Sequence, residues 1–210
     1  MAASSRFFAY LGRLKWIKRW GLKRNVEEEN VMEHSWQVAT IAHALAVIHN
    51  VEFGGNIDVF KVATTALYHD ASEIITGDLP SPIKYHSPRI QSAYKEIESE
   101  AEKELLAFLP RNLQEYYRAL LLHDHIPDNI ACFVKAADMI SAYLKCQQEI
   151  QAGNTEFRTA MDSIELKIRG LDIPEVHYFM KTFNDSYLLT LDELLNAHDA
   201  KSLSVSSKEA

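Results

Sequence analysis

Within "ALYHDASEIITGD", residues 66 to 78, a histidine and an aspartate stand side by side in a run that otherwise reads as a helix. Val62, Ala66, Leu67, Ala71 and Ile74 recur there at helical spacing. A charged doublet in a mostly buried helix is costly unless something pairs with it. Two further polar residues raise the same question. His34 falls on one stripe with Val38, Ile41, Leu45 and Ile48, so it points where a core belongs, whereas His43 is turned about 180° away. Asp138 is flanked on its face by Val134, Ser141 and Lys145, and its neighbours Ala136 and Ala137 are small enough to admit another helix. Taken singly, each has a plainer explanation, a core histidine with its hydrogen bonds satisfied or an aspartate in a cap or ion pair. Taken together, His34, His69, Asp70 and Asp138 make a mixed nitrogen and oxygen set for a divalent first-row metal. Such an ion compensates both carboxylates at once. Adjacent helical residues diverge by about 100°, so His69 and Asp70 share an ion only if it lies between them.

The elements that must position these groups read as six or so helices, with no strand alternation. Asn30 followed by Glu33 has the form of a capping box and opens a helix running to about Ile48. Gly54-Gly55 marks a turn, and a second helix is predicted from roughly Asp58 to Ile75, stopped by Gly77. Residues 77 to 88 read as a long proline-containing loop. A helix follows from about Ile90 to Phe108, with Glu98, Glu102 and Lys103 marking a solvated face. Pro110 punctuates, and another helix runs to Leu122. Asp128 or Asn129 is expected to cap a long helix that Gly153 ends. Two more helices finish the fold, before a frayed tail at 202–210. The expectation is one all-α domain over residues 1–210.

Bulk properties agree. The chain has 210 residues, 47% hydrophobic and 24% charged, with only 7 Gly and 6 Pro, which suits one domain with a sizeable core and argues against an all-β chain. No apolar run approaches the roughly 18 residues of a membrane span, and no membrane partner is expected. A net charge of −7 argues against a nucleic-acid polymer as partner. The charge is uneven, with seven Lys or Arg from Arg6 to Arg24 and no acid before Glu27. That basic end reads as a transit peptide, as an amphipathic surface helix with Phe7, Leu11 and Leu14 turned inward, or as an anion site. Cys132 and Cys146 fall on one helix about 21 Å apart, too far for a disulfide, so they are expected as free thiols of a reducing, cytoplasmic compartment.

The order of a His, a His-Asp doublet and a distant Asp resembles the HD-domain metal phosphohydrolases. Four stretches, "RLKWIKRW" at 13–20, "ENVMEHSWQVA" at 29–39, "ALYHDASEIITGDLPSPIKY" at 66–85 and "VKAADMISAYLKC" at 134–146, resemble the bacterial HD-domain 5'-deoxynucleotidases. The resemblance spans the chain to about residue 160. The resemblance implies a helical HD-domain fold whose catalytic residues lie within about 13–146. It implies hydrolysis of the phosphate of a deoxyribonucleoside 5'-monophosphate by a homodimer. His34, His69, Asp70 and Asp138 would hold one divalent ion, with cobalt favoured by the family and manganese, zinc or iron also compatible. Glu73, on the helix face of the doublet, would be the catalytic carboxylate, most simply a general base. Arg19 would orient the phosphate and share in catalysis, and Trp20 would pack on the sugar or base. Asp78, Leu79, Pro80 and Ser81 would form the substrate loop, with His34 and Asp138 also facing the substrate. Ser81 stands where family members often carry Thr. His123-Asp124-His125 reads as surface, with an accessory metal site as the alternative. Competing readings are a cyclic-nucleotide or nucleoside-triphosphate hydrolase on the same scaffold, and a non-catalytic helical module that binds metal.

Overall fold

Asn30 opens the first long helix as its spacing requires. Its side chain accepts the Glu33 N–H at 3.0 Å while the Glu33 carboxylate accepts the Asn30 N–H at 3.3 Å. The computed structural model describes residues 4–196. In chain order its helices are α1 (Phe7–Leu11), α2 (Val31–Glu52), α3 (Val59–Tyr68), α4 (Glu73–Thr76), α5 (Ser81–Lys84), α6 (Pro88–Ala107), α7 (Arg111–Leu121), α8 (Asp128–Gln151), α9 (Arg158–Arg169) and α10 (Pro174–Phe183). Among the described residues there is no strand, only an isolated antiparallel bridge between Lys18 and Asn30.

The frame is α2 packed against α3, α8 and α10. The predicted stripe of α2 is buried from His34 through Val38, Ile41 and Leu45 to Ile48. Ile41 and Leu45 meet Ile140 and Leu144 of α8 in one cluster with almost no exposure, and each such side chain is worth about 1.5–3 kcal/mol of burial. His43 lies on the other side, its ring centroid 6.1 Å from the exposed Phe60. A smaller cluster joins Phe7 to Ala71, Leu105, Leu106, Leu109, Leu121 and Leu122. The basic N-terminal segment is therefore built into the fold, with Phe7 and Leu14 buried as expected. Its amphipathic helix is broken, however: α1 ends at Leu11 and a 3₁₀ turn takes over at Leu14–Trp16.

Several expectations need correction. The helix predicted from Asp58 to Ile75 is two helices, α3 and α4, separated at the His-Asp doublet. Leu67 faces solvent, because the α3 stripe runs through Val62, Thr65 and Ala66. The 77–88 loop contains α5, and Ser87 rather than a later residue caps α6, with Pro88 at its first position. On α6, Glu102 is buried instead of marking a solvated face. Pro127 occupies the N-cap of α8, and neither Asp128 nor Asn129 caps it through a side chain. Gly77 and Gly153 do follow helix ends, with φ of 71° and 87°, values that a residue with Cβ adopts at a cost. Cys132 and Cys146 both lie on α8 as free thiols, one exposed and one buried. The tail at 202–210 lies outside the described residues.

Candidate metal centre

The break at the doublet resolves the 100° problem. Ala71 N–H bonds Tyr68 C=O and Glu73 N–H bonds Asp70 C=O, both at 3.0 Å. These three-residue steps tighten the chain relative to an α-helix. The turn brings His69 Nε2 to 3.1 Å from Asp70 Oδ2, on the side where α2 delivers His34 Nε2 at 3.5 Å from the same oxygen. From α8, Asp138 Oδ1 reaches His34 Nε2 at 3.1 Å. His34, His69 and Asp70 offer ligand atoms all within 4.8 Å of one another, and Asp138 joins them through His34. All four predicted residues are thus brought together from three regions of the chain.

The hydrogen bonds behind the imidazoles assign their tautomers. His69 Nδ1 faces the Ala66 carbonyl at 2.7 Å, so that nitrogen must donate. Ser141 Oγ gives its single proton to Gln37 Oε1 at 2.6 Å, leaving the hydroxyl to accept from His34 Nδ1 at 3.2 Å. Both rings then turn a lone pair at Nε2 toward carboxylate oxygens, and both Nε2 atoms are buried with no hydrogen-bond partner. Lone pairs set against anions repel unless a proton or a metal cation lies between them. The donor set fits a divalent ion, with Ala66 and Ser141 orienting the ligands from behind. Burial pushes His69 down, but Asp70, Asp138 and the Ala66 carbonyl together outweigh it and the net direction is up. Burial likewise opposes ionisation of Asp70 and Asp138, yet the neighbouring histidines hold both carboxyls below their ordinary range.

Arg19 lies beside this cluster, its Nε donating to Glu29 Oε2 at 3.1 Å and its Nη1 to Asp70 Oδ2 at 3.4 Å. Burial disfavours the guanidinium charge, but Asp70, Glu29, Asp138 and Asp78 together raise its pKa. Trp20 donates its indole N–H to Glu29 Oε2 at 2.9 Å, and its ring centroid stands 5.2 Å from that of Phe157. Asp78 is raised by burial, opposed by Arg19 and by the Trp20 backbone N–H. Glu73 is 8% exposed, and its Oε2 is buried without a partner. Burial first, then Asp70 and Asp78, push its carboxyl up to about 10. A surface glutamate paired with Lys or Arg would show none of this.

Asp78 is drawn to the cluster, whereas Leu79 and Pro80 are half-buried on the connection to α5 and Ser81 is exposed. His123 does not join the ligands. It lies in a 3₁₀ turn, His123–His125, and its Nδ1 meets the buried Glu102 of α6. Three groups at the site escaped the sequence reading as contributors. Ser141 and Gln37 follow Asp138 and His34 by three residues, a spacing that puts each on its ligand's helix face and was legible. Glu29 precedes α2 in a segment without periodicity; it opens the family-like stretch at 29–39, but nothing there gave it a role.

The profile of the YfbR-like 5'-deoxynucleotidase family matches residues 6–187. The 5'-deoxynucleotidase VV1113 of Vibrio vulnificus (strain YJ016) is 49% identical over 190 residues, covering 90% of this chain and 98% of its own. The 5'-deoxynucleotidase of Yersinia pestis (strain Pestoides F) is 50% identical over 190 residues, covering 90% and 96%. Among solved structures, an HD-domain phosphohydrolase from Listeria innocua superposes with a TM-score of 0.77 at 24% identity, covering 97% of this chain and 98% of that one. The cyanophage S-2L HD phosphohydrolase DatZ, bound to dA and one catalytic Zn2+ ion, gives a TM-score of 0.62 at 19% identity over 85% and 95%. These two likenesses concern the fold, which is the all-α HD fold, and the sequence matches over nine-tenths of the chain carry the rest: the chain belongs to the YfbR-like 5'-deoxynucleotidase family.

Proposed function

We propose that this single-domain chain removes the 5'-phosphate from deoxyribonucleoside 5'-monophosphates, releasing the deoxynucleoside and inorganic phosphate. The observation that carries the reading is the pair of partnerless Nε2 atoms on His34 and His69 facing Asp70 and Asp138, in a chain of this family. His34, His69, Asp70 and Asp138 are its metal ligands. The bound ion supplies polarisation of a phosphoryl oxygen and a lowered pKa for water. Cobalt, favoured by family resemblance, fits the donor set, as do manganese, zinc and iron.

This chain's residues do the remainder. Arg19 is held by Glu29 and Asp70 through Nε and Nη1, and no described hydrogen bond uses Nη2, which is free to bind a non-bridging phosphate oxygen. Glu73 takes the proton of the attacking water at its unpartnered Oε2. Two of the causes that raise its pKa are the charges of Asp70 and Asp78, so positive charge in the cluster brings it down toward a working base. Trp20 borders the sugar, and Asp78 accepts a hydrogen bond from a sugar hydroxyl. Leu79, Pro80 and Ser81 complete that wall. The free thiols of Cys132 and Cys146 support a cytoplasmic setting, and no helix among the described residues is long and apolar enough to cross a membrane. Homodimeric assembly is proposed from the family resemblance.

Glu73→Ala tests the division of labour. It is expected to keep the metal and substrate affinity while losing turnover about 10²-fold or more. Loss of metal in this variant would make Glu73 a ligand and require a different base.

A further inference from the structure

The geometry points to Glu29 as the positioning residue that sets sugar discrimination, by fixing the Trp20 indole and the Arg19 guanidinium through one carboxylate oxygen; this rests on the proposed roles of Arg19 and Trp20. Oε2 accepts from Arg19 Nε at 3.1 Å and from Trp20 Nε1 at 2.9 Å, while Oε1 lies 3.9 Å from His34 Nδ1. The Glu29 side chain is only 13% exposed, so these are charge-assisted bonds in a largely dry setting. One acidic group therefore touches the phosphate-binding residue and the sugar-facing residue, and borders a metal ligand.

The backbone reinforces the same junction. Arg19 N–H donates to Glu29 C=O at 3.0 Å, Val31 N–H donates to Ile17 C=O at 3.0 Å, and the Lys18–Asn30 bridge lies between them. The basic segment is thereby stitched to the residues that enter α2, three residues before His34. Trp20 adopts φ of 58°, the one non-glycine residue with positive φ among those described. That conformation costs of order 1–3 kcal/mol and persists only where its surroundings over-determine it. The Glu29 carboxylate on the indole N–H and Phe157 on the ring, at a 59° tilt, are two such constraints. An indole held from two sides is a rigid wall, and a rigid wall is what rejection of one extra hydroxyl needs. An apolar pocket that yields discriminates only about 10²-fold.

The test is the ratio of kcat/KM for dAMP to that for AMP, measured with metal content in Trp20→Ala, Glu29→Ala, Glu29→Asp, Glu29→Gln and the double variant Trp20→Ala/Glu29→Ala. Glu29→Asp withdraws the acceptor by one methylene and reports the same loss as Glu29→Ala should the latter fold poorly. Glu29→Gln keeps an oxygen at the Oε2 position. Expected are a ratio narrowed about 10-fold in Trp20→Ala, Glu29→Ala and Glu29→Asp, no further narrowing in the double variant, and a ratio within about 3-fold of wild type in Glu29→Gln. Metal is retained throughout, and KM for dAMP rises in Glu29→Ala as Arg19 loses its brace. A ratio narrowed by Trp20→Ala but unchanged by Glu29→Ala and Glu29→Asp overturns the role of Glu29 alone. A ratio unchanged in every variant overturns the sugar-wall reading of Trp20, and the role of Glu29 with it.

Discussion

Helix α8 contributes to two clusters of charge, centred on Asp138 and on Lys145 about two turns later, and they are finished differently. Around Lys145 and Glu149 the carboxylate is fully paired. Glu149 accepts from Val26 N–H at 2.8 Å, Glu27 N–H at 3.1 Å, Lys145 Nζ at 2.5 Å and Asn154 Nδ2 at 2.7 Å, while Lys145 also donates to the Glu27 carbonyl. Around Asp138 the opposite holds: two imidazole nitrogens and a Glu73 oxygen are buried without partners, and acids crowd a single arginine. The same helix thus closes one site and leaves the other open. A closed buried network orders the chain, here the 23–27 segment behind Trp20 (Lys23 Nζ reaching Glu156 C=O at 2.9 Å, Asn154 donating to Arg24 C=O at 2.7 Å). In the other, the unpartnered nitrogens of His34 and His69 face carboxylates, a donor set that fits a divalent ion.

The comparison breaks most visibly at the open end. Asp70→Ala and Asp138→Ala are each expected to lose the bound metal and essentially all phosphate release, with the fold retained by circular dichroism. Metal held stoichiometrically in either variant would show that the ligands are others. At the closed end the effect moves to stability. Glu149→Ala leaves the Lys145 ammonium buried without its partner, a change that costs about 3–5 kcal/mol and so lowers Tm by on the order of 10 °C for a domain this size. Folded Glu149→Ala should still bind one metal ion, and a loss of metal without a loss of Tm would erase the distinction between the two ends.

Acid sharpens the same contrast. Burial disfavours the Glu149 carboxylate, but Lys145, the Val26 and Glu27 N–H groups and Asn154 outweigh it and lower its pKa from 4.5 to about 2. Its folded pKa is depressed, so its contribution to stability is complete above about pH 4.5 and fades as the pH falls toward 2. Denaturant melts between pH 5 and 2 should fall more steeply for the wild type than for Glu149→Ala, and parallel curves would remove Glu149 from the account. The smallest effect concerns the second doublet. His123 meets the buried Glu102 and stands outside the ligand set, so His123→Ala is expected to leave metal content unchanged. Loss of about one equivalent would restore an accessory site there.

What the sequence disclosed follows the same division. The stripe of α2 and the four candidate ligands His34, His69, Asp70 and Asp138 were legible because helical periodicity is local. The long helix α8 was legible for the same reason, although its cap was misplaced: Pro127 fixes the N-terminal turn without any side-chain hydrogen bond. The break at His69-Asp70 was not legible, since Ala66 to Thr76 keeps helical spacing and the turn is imposed by convergence on His34 and Asp138. Glu102 looked solvated because its partner, His123, is 21 residues away. The role of Glu29 was not legible for a related reason, the residue being placed by backbone pairing between residues 17–19 and 29–31 rather than by helical periodicity.

The central claim is that the open cluster on α8, α2 and the 69–70 turn takes one metal ion to hydrolyse deoxynucleoside 5'-monophosphates. The most direct measurement is phosphate release from dAMP, AMP and the 3'-monophosphate of deoxyadenosine by protein stripped with a chelator and then titrated with cobalt, manganese or zinc. The account predicts no release from stripped protein and recovery complete at one equivalent per chain. The reloaded protein should prefer dAMP strongly over AMP and leave the 3'-monophosphate almost untouched. Undiminished release from the stripped protein, or equal rates on dAMP and AMP after reloading, would contradict it.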